Sequence, residues 1–317
     1  MKKVIIISIV LLLGGLIGFK SYQAQHPEKF KELVVNTTTP VKEVTPTVTQ
    51  TTMVSVNPPV NGTLKGVIEV GASGFNSFVV SIDNSKNWEL VSKQFGESLA
   101  YEGFASTSDV KIGLKKYLGD IFNKGVAGRN MHFVISSGAL KNPKTEIIAK
   151  AIEEDGYVVN RVTADQEGKY ALKALLPRDY INNSFVVDIG SGNTKISWYE
   201  GTALKSMEGP GAKYYQNGST DKEVYNKIME LVSNVPVNNR ENCFIIGGIP
   251  FKLADQSRNG NERYTTLKAP DWYSAGDDVK MKSGLNIYNA LQAGSGSNNF
   301  IFDWDANFTV GFLLTLN

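Results

Sequence analysis

Two short segments of this chain hold the residue types that could do chemistry. The first is Val67-Ile68-Glu69-Val70-Gly71-Ala72-Ser73-Gly74, which continues through Asn76 and Ser77 into Phe78-Val79-Val80. The second is Val186-Val187-Asp188-Ile189-Gly190-Ser191-Gly192-Asn193-Thr194, which continues through Lys195 into Ile196-Ser197-Trp198. Each reads as an apolar strand with an acid near its end, a turn of small residues, and a second apolar strand. Glycines let a backbone come close to a ligand, and successive turn N–H groups beside a Ser or Thr hydroxyl form a concave anion site. The acids, Glu69 and Asp188, stand where they could hold a hydrated magnesium ion or orient an attacking water. A single glycine-bearing hairpin is commonplace. Two copies half a domain apart suggest duplicated lobes closing on one phosphate chain. A third segment, Phe244-Ile245-Ile246-Gly247-Gly248-Ile249-Pro250, reads as a buried strand that opens through Gly247 and Gly248 into a helix.

The elements that must position these turns are those of an α/β protein. Amphipathic patterning predicts helices at Ser108–Asn123, Lys144–Glu154, Asp165–Leu176, Asp221–Ser233 and Lys280–Ala293. Strands are predicted at Val67–Val70, Phe78–Ile82, Met131–Ile135, Phe185–Ile189, Ile196–Tyr199, Phe244–Ile246 and Asn299–Phe302. Ahead of them, Met1-Lys2-Lys3 precedes an apolar run from Val4 to Phe19. That run fits a short membrane span or a signal-peptide core. Tyr22-Gln23-Ala24 is a poor cleavage site, so an uncleaved anchor is the expectation. From Asn36 to Pro59 the chain is rich in Thr, Pro and Val, the composition of an extended spacer. The organisation expected is therefore an anchor or signal peptide (1–24), a Thr/Pro-rich linker (25–61) and two lobes (62–182 and 183–317).

At 317 residues and 42% hydrophobic composition the chain can bury one large core or two modest ones. A net charge of +2 gives no reason to expect a nucleic-acid partner. One cysteine, Cys243, excludes an internal disulfide framework, and two histidines without paired Cys/His spacing argue against structural zinc.

In order along the chain, these segments resemble the exopolyphosphatase and guanosine pentaphosphate phosphatase family of the sugar kinase, heat-shock protein and actin superfamily. The first hairpin is similar to that family's Asp-Leu-Gly-Ser-Asn-Ser-Phe loop, and the second to its Asp-Ile-Gly-Gly-Gly-Ser-Thr-Glu loop. Val134-Ile135-Ser136-Ser137-Gly138-Ala139-Leu140-Lys141 resembles its Ala-Thr-Ser-Ala-x-Arg turn. Val162-Thr163-Ala164-Asp165-Gln166-Glu167-Gly168 resembles its Ile-Ser-Gly-x-Glu-Glu-Ala segment, and Phe300 to Leu314 its closing strand and helix.

The resemblance implies a two-lobed actin-like fold, a duplicated ribonuclease H-like architecture. It also implies removal of terminal phosphate from polyphosphate or a guanosine pentaphosphate-like nucleotide, with Mg2+. Glu167 and Asp188 match the catalytic acids, and Glu69 with Asp188 the metal ligands. Gly71, Ala72, Ser73, Gly74, Asn76, Ser77, Lys141, Gly190, Ser191, Gly192, Asn193, Thr194, Lys195, Gly247 and Gly248 are the expected phosphate-binding set. Thr163 and Gln166 also form a capping box, which places Glu167 in a first helical turn where an acid suits the helix dipole. Three positions depart from the family pattern: Glu69 replaces aspartate, Lys195 the glutamate that ends the second loop, and Lys141 an arginine. A phosphate sensor or scaffold that has lost catalysis, or an actin-like ATPase, are the competing expectations. The partners expected are polyphosphate or a nucleotide, and a membrane reached through the N-terminal helix, with a homodimer left open. Lys2 and Lys3 ahead of the apolar run favour a domain outside the cytoplasm, although Lys20, Lys29 and Lys31 nearly cancel the bias.

Overall fold

The computed structural model describes residues 54–71, 74–96 and 107–317. The expected anchor and most of the Thr/Pro segment lie outside the described residues. Among the described residues no helix is long and apolar enough to cross a membrane.

In chain order, the first half holds β1 (Thr63–Gly71), β2 (Gly74–Ile82), β3 (Trp88–Phe95), α1 (Thr107–Asn123), β4 (Met131–Ile135), α2 (Ser137–Leu140), α3 (Lys144–Glu154), β5 (Val159–Arg161) and α4 (Ala164–Leu175). The second half holds β6 (Ser184–Ile189), β7 (Asn193–Glu200), β8 (Ala203–Pro210), α5 (Asp221–Val232), β9 (Asn242–Gly247), α6 (Gly248–Asp255), β10 (Tyr264–Thr266), α7 (Val279–Ser295), β11 (Asn299–Asp303) and α8 (Phe308–Thr315).

The two halves repeat one topology. In the first sheet the order is β3-β2-β1-β4-β5, and in the second β8-β7-β6-β9-β11, with β10 added at the far edge. In both, an antiparallel meander of three strands joins a parallel set through its first strand. The carboxyl ends of β1, β4, β6 and β9 all lead into the same cleft, the usual place for a ligand in an open α/β sheet.

Packing follows from which strand faces are apolar. Phe133, Ile135, Val79 and Val70 turn outward from the first sheet onto α1 and α3. Phe185, Val187, Ile245 and Phe300 do the same from the second sheet onto α5, α6 and α7. Between the sheets, Val67, Val80 and Val134 meet Val186, Phe244 and Ile301 across α4 and α8, which contribute Ala171, Leu172, Leu175, Val310 and Leu313. Strands apolar on both faces are what a sheet covered by helices on both sides requires.

Among the expected elements, the helices at Lys144–Glu154 and Asp221–Ser233 and the strand Met131–Ile135 stand within a residue of their observed bounds. Strands β3, β5, β8 and β10 were not expected. In β3 and β8 the pattern is mostly half-buried or exposed, with Glu89, Lys93, Gln94, Lys205 and Glu208 interleaved, so neither strand carries an apolar run. They are sheet edges, paired on one side only.

Candidate active site in the interlobe cleft

The cleft is framed by the ends of two hairpins, β1–β2 and β6–β7. Gly71 pairs with Gly74 at the β1–β2 turn, and Ala72 and Ser73 lie outside the described residues. In the β6–β7 turn the Gly190 N–H donates to the Asn193 carbonyl at 2.9 Å. The exit of β8 braces this second turn, because Ala212 N–H donates to Gly190 O and Lys213 N–H to Ser191 O, each at 2.9 Å. Gly211 permits the contact: a Cβ there would stand 2.2 Å from the Asn193 nitrogen. Gly247, between β9 and α6, has φ +116°, and a Cβ there would stand 2.2 Å from the Ile189 carbonyl oxygen. The cavity between the turns has a volume of about 480 Å³.

At its floor the two hairpins present equivalent cross-strand pairs. Glu69 stands opposite Asn76, whose Nδ2 donates to Glu69 Oε2 at 3.0 Å. Asp188 stands opposite Lys195, with Nζ 3.6 Å from Asp188 Oδ2. Lys195 makes a second, closer ion pair with Glu167 Oε2. Glu167 is 0% exposed. Its Oε1 accepts the Ser137 N–H at 2.5 Å and its Oε2 accepts the Ser137 hydroxyl at 3.0 Å. Asn193 Nδ2 donates to that hydroxyl at 2.9 Å and to Glu208 Oε1 at 2.8 Å. Asn307, which caps α8, donates to Glu69 Oε2 at 3.4 Å.

The electrostatics follow from this burial. Loss of water pushes the Glu69 carboxyl up to about 7; the Asn76 hydrogen bond opposes the shift, and the Glu167 and Asp188 charges add to it. Burial works against a charged Lys195, but the Asp188 and Glu167 carboxylates outweigh it and hold the ammonium above the ordinary lysine range. Burial likewise raises Glu167, with Lys195 acting against the rise.

Of the residues singled out in the sequence, Glu69, Gly71, Gly74, Asn76, Asp188, Gly190, Ser191, Gly192, Asn193, Lys195, Gly247 and Gly248 line the cavity. Four others do not. Ser77 and Thr194 are buried away from it, because successive strand residues face opposite sides of a sheet. The Thr194 hydroxyl donates to the Pro210 carbonyl at 2.7 Å. Lys141 lies outside and pairs with Glu208 at 3.3 Å. Glu167 is sealed behind Lys195 and Ser137 and does not reach the cavity.

Several contributors were not anticipated from the sequence. Ser137 follows directly from the Ile135-Ser136 strand end and could have been weighed as a partner for Glu167. Asn307 and Gly211 carry no local signal. Neither does the aromatic wall of Phe95, Phe251, Phe302 and Trp304, which spans both halves of the cleft. In it Phe251 stacks edge-on to Trp304 with ring centres 5.3 Å apart and meets Phe95 of β3 at 6.4 Å.

A resident magnesium ion does not fit this arrangement. Among the described residues no three His, Cys, Asp or Glu side chains are placed to hold a metal. The position flanked by Asp188 and Glu167 is taken by the Lys195 ammonium.

The duplicated sheets, the paired turns and the cleft between them define a two-lobed, actin-like protein. No protein-family model matches the chain, and no curated protein matches it. Solved structures do. The Ppx/GppA phosphatase of Aquifex aeolicus, in its type II variant, is 17% identical and superposes with a TM-score of 0.57, covering 80% of this chain and 99% of that one. An exopolyphosphatase from Cytophaga hutchinsonii is 14% identical with a TM-score of 0.61, covering 80% of this chain and 97% of that one. The fold of this protein is thus the one those phosphatases have, as the sequence motifs led us to expect.

Proposed function

We propose that this protein binds the phosphate chain of polyphosphate or of a nucleotide in the interlobe cleft and holds it without rapid hydrolysis, as a sensor or scaffold. The observation that carries this reading is the enclosure of Glu167. A general base must come within hydrogen-bond reach of the water it activates. Glu167 has no surface in the cleft, and both its oxygens are engaged by Ser137 and Lys195. The turns, by contrast, remain suited to anions: Gly190, Ser191 and Gly192 line the cavity from one side, and Gly71 and Gly74 from the other.

The second reading is a phosphohydrolase acting on terminal phosphates of polyphosphate or guanosine pentaphosphate-like nucleotides. The likeness in fold to the Aquifex aeolicus and Cytophaga hutchinsonii enzymes favours it. It requires Glu167 to leave Lys195 during the reaction. The two are separated by measuring binding and phosphate release on the full chain. Binding of polyphosphate with no release above background supports the first reading. Release that is abolished in a Glu167→Gln variant that still folds and binds polyphosphate establishes the second, and absence of any binding removes both.

Tethering belongs to the same proposal. The apolar run 4–19 would anchor the protein, with 25–61 as spacer and the cleft outside the cytoplasm. A C-terminal reporter active only in the cytoplasm would refute that orientation.

A further inference from the structure

We propose that the Lys195 ammonium takes the place of a divalent cation at the floor of the cleft, so that phosphate groups are bound there without magnesium. The ligand half of this inference rests on the phosphate-binding reading above; the metal half can be measured with no phosphate present.

Lys195 is 4% exposed, and its charge is retained by named partners. Nζ contacts Glu167 and lies 3.6 Å from Asp188 Oδ2. Those carboxylates come from different elements, α4 and β6, and the ammonium joins them as a bound ion would. Its other side meets the phosphate turn, since the Cβ position that Gly190 lacks is 3.5 Å from Nζ. Lys195 also lines the cavity, so the same charge faces the space a phosphate would enter.

Magnesium requires near-octahedral oxygen ligands at short range and retains several waters. With the ammonium seated between the two carboxylates there is no room for that shell, and the like charges repel. The chemistry of the pocket is that of a fixed monovalent cation. Lysine supplies three donors on a compact charge, of which the carboxylates leave part for a ligand oxygen. Removing the side chain would leave the Asp188 and Glu167 carboxylates facing the vacated space with no cation between them, and two carboxylates with retained water are what a divalent ion takes.

The test uses the full chain and Mn2+ as probe, followed by calorimetry, with tripolyphosphate as the phosphate ligand. Wild type is expected to show no Mn2+ site that Asp188→Asn alters. Lys195→Ala is expected to gain one at least tenfold tighter than any wild-type binding, and to lose it when Asp188→Asn is added. Tripolyphosphate should bind wild type in excess EDTA. A wild-type Mn2+ site removed by Asp188→Asn overturns the proposal, as does a folded Lys195→Ala protein without one. If Lys195→Ala fails to fold, the wild-type arms decide: Mn2+ binding sensitive to Asp188→Asn, or tripolyphosphate binding abolished by EDTA, refutes it. Absence of tripolyphosphate binding with and without added Mg2+ defeats the phosphate-binding reading, and the Mn2+ arm then still decides whether Lys195 excludes the metal.

Discussion

Lys195 and Asp188 face each other across β6 and β7 in the same register that Asn76 and Glu69 occupy across β1 and β2. In one hairpin the partner of the acid is a neutral amide at 3.0 Å; in the other it is an ammonium at 3.6 Å. The pseudo-symmetry of the fold thus gives two acids on one cleft opposite environments. Among the described residues Glu69 has no cation in direct contact, and burial holds its carboxyl partly protonated near neutrality, whereas Asp188 shares Lys195 with Glu167.

From this asymmetry, the Lys195–Glu167 pair should be essential to stability. Glu167→Gln breaks a buried ion pair while leaving its cation in place, a change that costs roughly 3–5 kcal/mol. Lys141→Ala removes an exposed pair with Glu208 and should cost at most about 1 kcal/mol. Urea denaturation of the two variants reads the contrast, and equal losses would contradict the burial of Glu167.

Glu69 makes stability depend on pH in a defined direction. Its carboxyl titrates at about 7 when folded, against an ordinary value of 4.5. The folded state therefore binds the proton more tightly, and the stability this confers is full below about 4.5. It is lost as pH rises toward about 7, by on the order of 3 kcal/mol. Glu69→Gln should flatten that part of the profile, checked by denaturation midpoints across pH 4 to 8.

The same group faces the cleft, so it should also set anion affinity. Protonation of Glu69 removes a negative charge from the cavity floor, and phosphate binding should strengthen as pH falls through about 7. Glu69→Gln should bind tightly on both sides of that pH. A binding curve for tripolyphosphate that weakens on acidification to pH 6 would count against it.

Gly247→Ala tests the backbone that shapes the second lobe's side of the cleft. Both the left-handed φ and the 2.2 Å approach to Ile189 O exclude a side chain. Gly→Ala at an unstrained position usually stabilises by about 0.4–1 kcal/mol, whereas here the change should destabilise by more than that amount. Gly248→Ala, whose Cβ would meet nothing within 4 Å, is the control; a loss there as large as at Gly247 would remove the steric explanation.

The sequence by itself determined the repeat. Val67–Gly74 and Val186–Thr194 could be matched because an apolar strand, an acid and a glycine turn are local features, set by backbone freedom and side-chain alternation over a dozen residues. The same locality made the Thr163–Gln166 cap legible, and the cap is present. Edge strands β3 and β8 were not legible, since half-solvated strands carry no apolar run. What only the tertiary structure decided is the state of the site. Glu167, Asp188 and Lys195 come from α4, β6 and β7, and no spacing along the chain says that the lysine would close on both acids. Nor does the chain reveal that Glu167 would be sealed from the cleft while Glu69 stays on its wall. Protonation, ion pairing and access depend on burial and on distances of a few ångströms, and those quantities exist only once the two sheets have packed across α4 and α8.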